Sequence, residues 1–418
     1  MKDFTCILTE ELTFALGCTE PISIALAASK AREVLGAIPD KVIICCSGNI
    51  IKNVKSVTVP NTMGMKGVES AVAIGIFGGD SSLGLEVLSK VAAEDIANAR
   101  EFLNEDRIEV SLKDTEENLY IDIVAVDAES NRVEIEIKNK HTNIVRVAKN
   151  DEIIDMDYCN ESDRDLSIYE GLNLKDIFDY ANSVDLEKVS NLLETQIHYN
   201  TAISHEGLVN NWGSSIGSLL LEEDNGLRTR VKAKAASGSD ARMNGCSLPV
   251  VINAGSGNQG ITCSIPVIEY AQEWRSSKDD LYRALLISNL TALHIKRFIG
   301  RLSAFCGVTS EGVAAGAGIA YLDTKDYEIV KHTVGNALMI VSGMLCDGAK
   351  ASCAAKIAAA VDAGITGYLM AKKGRNFLVG DGLLKEDIED TIRSIGYIAR
   401  EGMKETDIMV LNTMIDKK

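Results

Sequence analysis

The 418-residue sequence is poor in aromatic residues, which make up 5% of it, and holds only five prolines, five histidines and two tryptophans. A core with so few rings has to be filled by smaller side chains. Gly and Ala are abundant, so helices that approach one another closely are expected. Five scattered histidines form no metal-like cluster. Basic charge is also short: 43 Lys and Arg stand against 60 Asp and Glu, a formal net charge of −17. Nucleic acid and anionic membranes demand basic patches, so neither is expected as a partner. Long apolar runs are missing too. "AAGAGIAYL" and "NALMIVSGMLC" stop well short of the roughly 18 uninterrupted residues of a membrane span. "MKDFTCILTEELTF" carries acids where a signal peptide needs an apolar stretch. A cytoplasmic protein is expected, and its size, acidity and close-packed helices suggest a homodimer.

Cysteine is plentiful. Ten in a reducing compartment are thiols, ligands or catalysts before they are disulfides. Most read as buried small hydrophobes. Cys45 and Cys46 sit in the strand "KVIICCS", while Cys6, Cys159, Cys246 and Cys263 have no special context.

The chain changes character twice. Residues 9–36 read as helix broken near Gly17 and Cys18. "KVIICCS" and "VKSVTVP" read as strands, followed by helices at about 67–78 and 84–104. "RIEVSLK", "NLYIDIVAVDA", "RVEIEIK" and "NIVRVAK" read as strands, the first three alternating with the period of two of half-exposed strands, and Asn131 makes a hairpin turn. From about 165 onward helical periodicity prevails. The expected fold is α+β: a mostly helical catalytic domain with an inserted α/β domain. Residues 1–37 would pack with the helical part, residues 38–164 would form the α+β unit, and residues 165–418 would form the helical domain.

Three segments place a cysteine beside a helix end. In "ALGCTEPISIALAASKAREVLG" Thr19 reads as N-cap and Gly36 as the C-terminal stop. Cys18 then lies at a positive helix end, which should lower its pKa and make it a general-base candidate. A buried packing cysteine is the equal alternative. In "RLSAFCGVTSEGV" Cys306 precedes a helix start capped by Thr309 or Ser310. In "SGMLCDGAKASCAAK" Cys346 closes one helix and Cys353 enters the next. An unbroken helix would separate these two by about 10 Å, so the break at Asp347–Gly348 lets both thiols face one point. Three such cysteines suit an iron–sulfur cluster better than zinc, which favours tight pairs. Buried packing fits the spacing equally well.

Polar loops complete the inventory. "INAGSGNQGITCSIP" offers Asn253, Ser256, Gly257, Asn258 and Gln259 as an anion-holding turn. "SGSDARMNG" adds Asp240 and Arg242 as polar lining. "VPNTMGMKG", with Asn61 and Thr62, and "KHTNIV", with His141, Thr142 and Asn143, are loops able to close over a ligand. His141 alone reads more readily as a satisfied histidine than as a catalyst.

"ALGCTEPISIALAA", "NAGSGNQGITCSIPV", "RLSAFC" and "SGMLCDGAKASCAAK" together resemble the L-cysteine desulfidase family, relatives of the bacterial iron–sulfur L-serine dehydratase α chain, over nearly the whole chain. The resemblance implies an oxygen-sensitive [4Fe–4S] cluster held by Cys306, Cys346 and Cys353, with Cys18 as proton acceptor. It also implies β-elimination of L-cysteine to pyruvate, ammonia and sulfide. The segment between Cys346 and Cys353 is shorter than in the serine dehydratases, which leaves Cys18 as an alternative third ligand. Three other readings stand beside it. One is serine dehydration at the same site. Another is a pyridoxal phosphate eliminase with "GSGNQG" as phosphate loop and Lys350 as Schiff-base lysine. The third is a non-catalytic iron–sulfur or zinc scaffold.

Overall fold

The computed structural model describes residues 2–115, 117–156, 168–300 and 302–414; Cys159 lies outside them. A short helix α1 (Thr5–Glu11) leads into a three-residue strand β1 (Phe14–Leu16) and then helix α2 (Thr19–Leu35). The α+β unit follows: β2 (Lys41–Cys46), α3 (Gly48–Val54), α4 (Val68–Gly78), α5 (Ala93–Asn104), β3 (Ile108–Leu112), β4 (Tyr120–Val126), β5 (Arg132–Lys138), β6 (Ile144–Lys149) and β7 (Glu152–Met156). Its six strands form one mixed sheet in the order β3-β2-β4-β5-β6-β7. Only β2 and β3 run parallel.

Alternation explains the sheet. In β2, Val42, Ile44 and Cys46 point inward; in β4 and β5, Ile121, Ile123, Val133, Ile135 and Ile137 do the same. The hairpin between β4 and β5 turns on Asp127, whose carboxylate accepts from both the backbone and side chain of Asn131. "VKSVTVP" is not a strand: Val54 ends α3, and only Thr58 makes a lone bridge, to Lys66. The stretch 84–104 is a short 3₁₀ turn over Ser81–Glu86 followed by α5, because Gly84 takes a non-helical conformation.

Residues 1–37 do not share one destination. Phe4, Ile7, Leu8, Leu12 and Ala15 join the helical core. Helix α2 instead buries Ile22, Ile24, Leu26 and Leu35 against the sheet. The turn between them needs Gly17, whose φ is +57° and whose missing Cβ makes room for Pro60.

The helical body runs through α6 (Leu174–Ser183), α7 (Glu187–Val209), α8 (Ile216–Glu223), α9 (Leu227–Met243), strand β8 (Pro249–Val251), α10 (Gly257–Glu273), α11 (Lys278–Ile299), α12 (Val308–Thr324), α13 (Tyr327–Val341), α14 (Cys353–Lys372), α15 (Ile388–Tyr397) and α16 (Lys404–Met414). Close approach is realised between α12 and α14. A Cβ on Gly312 would lie 2.4 Å from the Ala360 carbonyl oxygen, and one on Gly316 2.5 Å from that of Gly364. Contacts that advance together along both chains mean parallel helices. Both helix starts, and with them Cys306 and Cys353, therefore lie at the same end of the body. Among the described residues α14 is the one helix long and apolar enough to cross a membrane, and this glycine–alanine face is packed inside the protein.

Candidate active site

Three local devices bring distant segments to one place. Strand β1 pairs antiparallel with β8, Ala15 opposite Val250, so the start of α2 lies beside the turn that enters α10. The Thr19 hydroxyl fixes the contact by donating to the Gly255 carbonyl at 3.0 Å. An antiparallel bridge between Phe305 and Leu345 sets Cys306 next to Cys346, with the Cys306 N–H on the Met344 carbonyl at 2.9 Å and the Cys346 N–H on that of Ala304 at 2.6 Å. Gly348, at φ +92°, then turns the chain against α3, where a Cβ would strike the Lys52 carbonyl at 2.4 Å. Asp347 anchors that turn through Lys350 and Lys356. Burial pushes its carboxyl up, but the two lysines outweigh this and hold it at about 2.

The result is a cavity of about 90 Å³. Cys18, Glu20, Asn53, Cys306, Cys346 and Cys353 line it together with Arg242, His141, Lys296, Ser256, Asn258 and Gln259, and Cys353 packs against the small cluster that contains Cys18. A wider surface groove of about 460 Å³, lined by Lys2, Asp176, Asp179, Asn182 and Ser183, carries a Lys2–Asp176 ion pair and no thiol or histidine.

Several details differ from the sequence reading. Cys18, not Thr19, is the N-cap of α2, and its thiol points back to donate to Glu20 Oε2 at 3.0 Å. Burial and the Glu20 carboxylate push its pKa well above the ordinary thiol value, the reverse of the expected fall. A helix end acts weakly over one turn, whereas a dry cavity and an adjacent anion act directly on the sulfur. Burial also pushes the Glu20 carboxyl up, but His141, the Cys18 thiol and Arg242 together bring it below its usual range. Asn53 Nδ2 donates to Glu20 Oε1 at 2.8 Å, and the Thr19 hydroxyl reaches Oε2 at 3.2 Å. Glu20 is thus held ionised, while Cys18 keeps its proton.

The other thiols divide similarly. A hydrogen bond between Cys306 and Cys346 raises Cys306 and lowers Cys346, which Lys52 and Lys296 further favour as thiolate. Burial raises Cys353. Helix α12 already begins at Val308, so Thr309 and Ser310 lie inside it rather than capping it. Helix α13 ends at Val341, so Cys346 stands in extended chain rather than closing a helix.

Of the polar candidates, His141, Ser256, Asn258 and Gln259 line the cavity. His141 arrives there because the Ser23 hydroxyl on α2 holds its carbonyl at 2.6 Å. Gly257, Asn258 and Gln259 are the first residues of α10, so a helix start, not a free loop, faces the site. Asn61, Thr62, Thr142, Asn143 and Asn253 stand outside it. Asn61 donates to the Leu88 carbonyl, Thr62 closes its own turn on Val59 and Met65, Asn143 binds the Lys138 carbonyl, and Thr142 is exposed. Asn253 is buried against Asn289. Arg242 lies in the last turn of α9 and lines the cavity, whereas Asp240 caps α8 through the Ile216 N–H. Glu20, Asn53 and Lys296 escaped the sequence reading. Glu20, two residues from Cys18, carried the one signal that was there to read.

Among the described residues no three His, Cys, Asp or Glu side chains converge on one point as a single ion requires. A polynuclear cluster takes each thiolate on a different iron. Three thiols lining one cavity, two of them set side by side by the Phe305–Leu345 bridge, are a donor set that fits such a group. Lys350, the Schiff-base candidate, is engaged by Asp347 at 2.8 Å.

Comparison with known proteins identifies the family. Residues 82–412 match the serine dehydratase alpha chain family. A UPF0597 protein of Finegoldia magna is 66% identical over 417 residues, covering the whole of both chains. One from Desulfitobacterium hafniense is 52% identical over 98% of this chain and 96% of its own. Another, from Lachnoclostridium phytofermentans, is 47% identical over 99% of this chain and all of its own. The chain belongs to the serine dehydratase alpha chain family and is an iron–sulfur serine dehydratase-like protein.

Proposed function

We propose that the protein is a [4Fe–4S]-dependent L-cysteine desulfidase, a carbon–sulfur lyase converting L-cysteine to pyruvate, ammonia and sulfide. The observation that carries this reading is that Cys306, Cys346 and Cys353 line one cavity together with the hydrogen-bonded Cys18–Glu20 pair. The three cysteines would hold the cluster, which when bound supplies a Lewis-acidic iron with an open position to neutralise charge on the leaving sulfur.

The chain's own residues supply the rest. Elimination must remove a weakly acidic Cα proton. The Cys18 sulfur already rests its proton on Glu20 Oε2, so the pair acts as a relay: Glu20 takes the thiol proton and the thiolate takes the one from Cα. Asn53 and Thr19 keep the carboxylate in place while charge moves. Ser256, Asn258 and Gln259 at the start of α10 orient the substrate. The released aminoacrylate hydrolyses to pyruvate and ammonia without further help.

A second reading, dehydration of L-serine, is favoured by the family match itself. Anaerobic purification, iron and acid-labile sulfide counts per chain, and parallel assays with L-cysteine and L-serine separate the two. About four iron and four sulfide per chain, with sulfide and pyruvate formed from cysteine at the higher kcat/KM, support the desulfidase. Faster turnover of serine replaces it with the dehydratase. Pyruvate from iron-free protein removes both.

A further inference from the structure

The Arg242 guanidinium has an unusual setting for a buried charge. The residue is 2% exposed, yet Nε and Nη2 have no hydrogen-bond partner. Among the described residues no carboxylate lies at ion-pair distance from it, although its charge helps lower the Glu20 carboxyl. Glu20, the cavity's own acid, has its oxygens engaged by Asn53, Cys18 and Thr19. Nε and Nη2 form one edge of the guanidinium, the edge that takes a carboxylate through two parallel bonds. Gly257 packs directly against that edge: a Cβ there would lie 2.4 Å from Nε, so glycine alone lets the guanidinium seat at the start of α10. Opposite in kind, Asn258 Oδ1 and Gln259 Oε1 are buried acceptors without a donor on the same cavity. Unmet donors and unmet acceptors in one cavity complement a zwitterion, a molecule with an anion at one end and an ammonium at the other.

We infer that Arg242 is the carboxylate anchor of an α-amino acid subsite, with the Asn258 and Gln259 side-chain oxygens receiving the ammonium. The inference rests on the reading that the cavity takes an amino acid, and it adds which groups select one. It makes Arg242 a substrate-binding residue rather than a support for the helix end.

Two thiols that each lack one half of the zwitterion test it on the anaerobic holoenzyme. 3-Mercaptopropionate keeps the carboxylate and cysteamine keeps the ammonium, and the thiol common to both cancels. Calorimetric binding and competition against L-cysteine are measured for each. Arg242→Gln is expected to weaken 3-mercaptopropionate roughly ten- to a hundredfold and to leave cysteamine unchanged, with Arg242→Lys recovering part of the loss. Asn258→Ala/Gln259→Ala is expected to do the reverse. Equal loss of both probes in Arg242→Gln, or loss of neither, overturns the inference. Should that variant fail to fold, unmodified protein that does not bind 3-mercaptopropionate overturns it equally well. Carboxylate binding that depends on Arg242 in a protein making no pyruvate would sink the elimination reading and leave the subsite standing.

Discussion

Gly312 and Gly364 meet backbone to backbone: a Cβ on Gly364 would lie 2.0 Å from the Gly312 carbonyl oxygen. This contact locks the two parallel helices that begin beside Cys306 and Cys353. A helix normally gains up to about 1 kcal/mol when glycine becomes alanine. Here overpacking, which costs about 1–3 kcal/mol in a tight core, outweighs that gain. Gly364→Ala should destabilise the protein, and Gly364→Val more so. Urea denaturation checks the sign; a more stable Gly364→Ala would show that the helices are free to separate.

The proposed Cys18–Glu20 relay predicts joint behaviour. Glu20→Gln should lower kcat by roughly 10²–10⁴, with iron content and KM for L-cysteine little changed. Cys18→Ala should do the same. Because the two act as a unit, the double variant should be no worse than the poorer single one. Multiplying losses would mean separate roles.

Lys52 has a side chain 1% exposed, and it is paired with Asp407 on α16 at 2.5 Å; Asn49 also donates to Asp407 at 2.9 Å. Removing one partner of a buried pair typically costs about 3–5 kcal/mol. Asp407 is partly exposed, so Asp407→Ala should lose somewhat less, roughly 2–3 kcal/mol. Adding Lys52→Met should restore most of it. A double-mutant cycle in urea measures both, and an additive result would remove the coupling.

Asp122 and Glu136 stand directly opposite across β4 and β5, and burial together with Glu134 and Glu136 raises Asp122 to about 6. The folded state therefore holds its proton more tightly than the unfolded chain does. Stability from this group is full below the unfolded value near 4 and is lost as pH rises to about 6. Asp122→Asn should flatten that decline and stabilise the protein at pH 7 by on the order of 1–2 kcal/mol after screening. Melting temperatures from pH 4 to 7 decide it; parallel curves for both proteins would discard the assignment.

Legibility followed the range of the signal. Strands β4 and β5 were readable because alternation repeats over seven residues, β2 from its apolar run, and α11 and α13 from their helical period. Strands β1 and β8 span three residues each, too short for any period, yet they decide where Cys18 lies. The cysteines were conspicuous because each read as lying near a glycine at a helix end, although Cys346 in fact stands in extended chain past Val341. The direction of the Cys18 shift was not readable, since it depends on burial and on how Glu20 folds back. Asn61 and Thr62 looked like ligands because they are polar turn residues, but Thr62 closes its own turn and Asn61 ties that turn to the Leu88 carbonyl. Arg242 read as polar lining from its small polar neighbours, and it is a helix, Leu227–Met243, that delivers it to the cavity.

The β1–β8 pairing has a consequence for biosynthesis. It joins Phe14 to Val251, and the cavity it organises also needs Cys346 and Cys353. During translation the early segment must wait, with Cys18 unsheltered, until most of the chain has left the ribosome. On the proposed ligand assignment, iron delivery would be a finishing event on a folded polypeptide, and any product broken off before residue 353 would lack a complete thiol set.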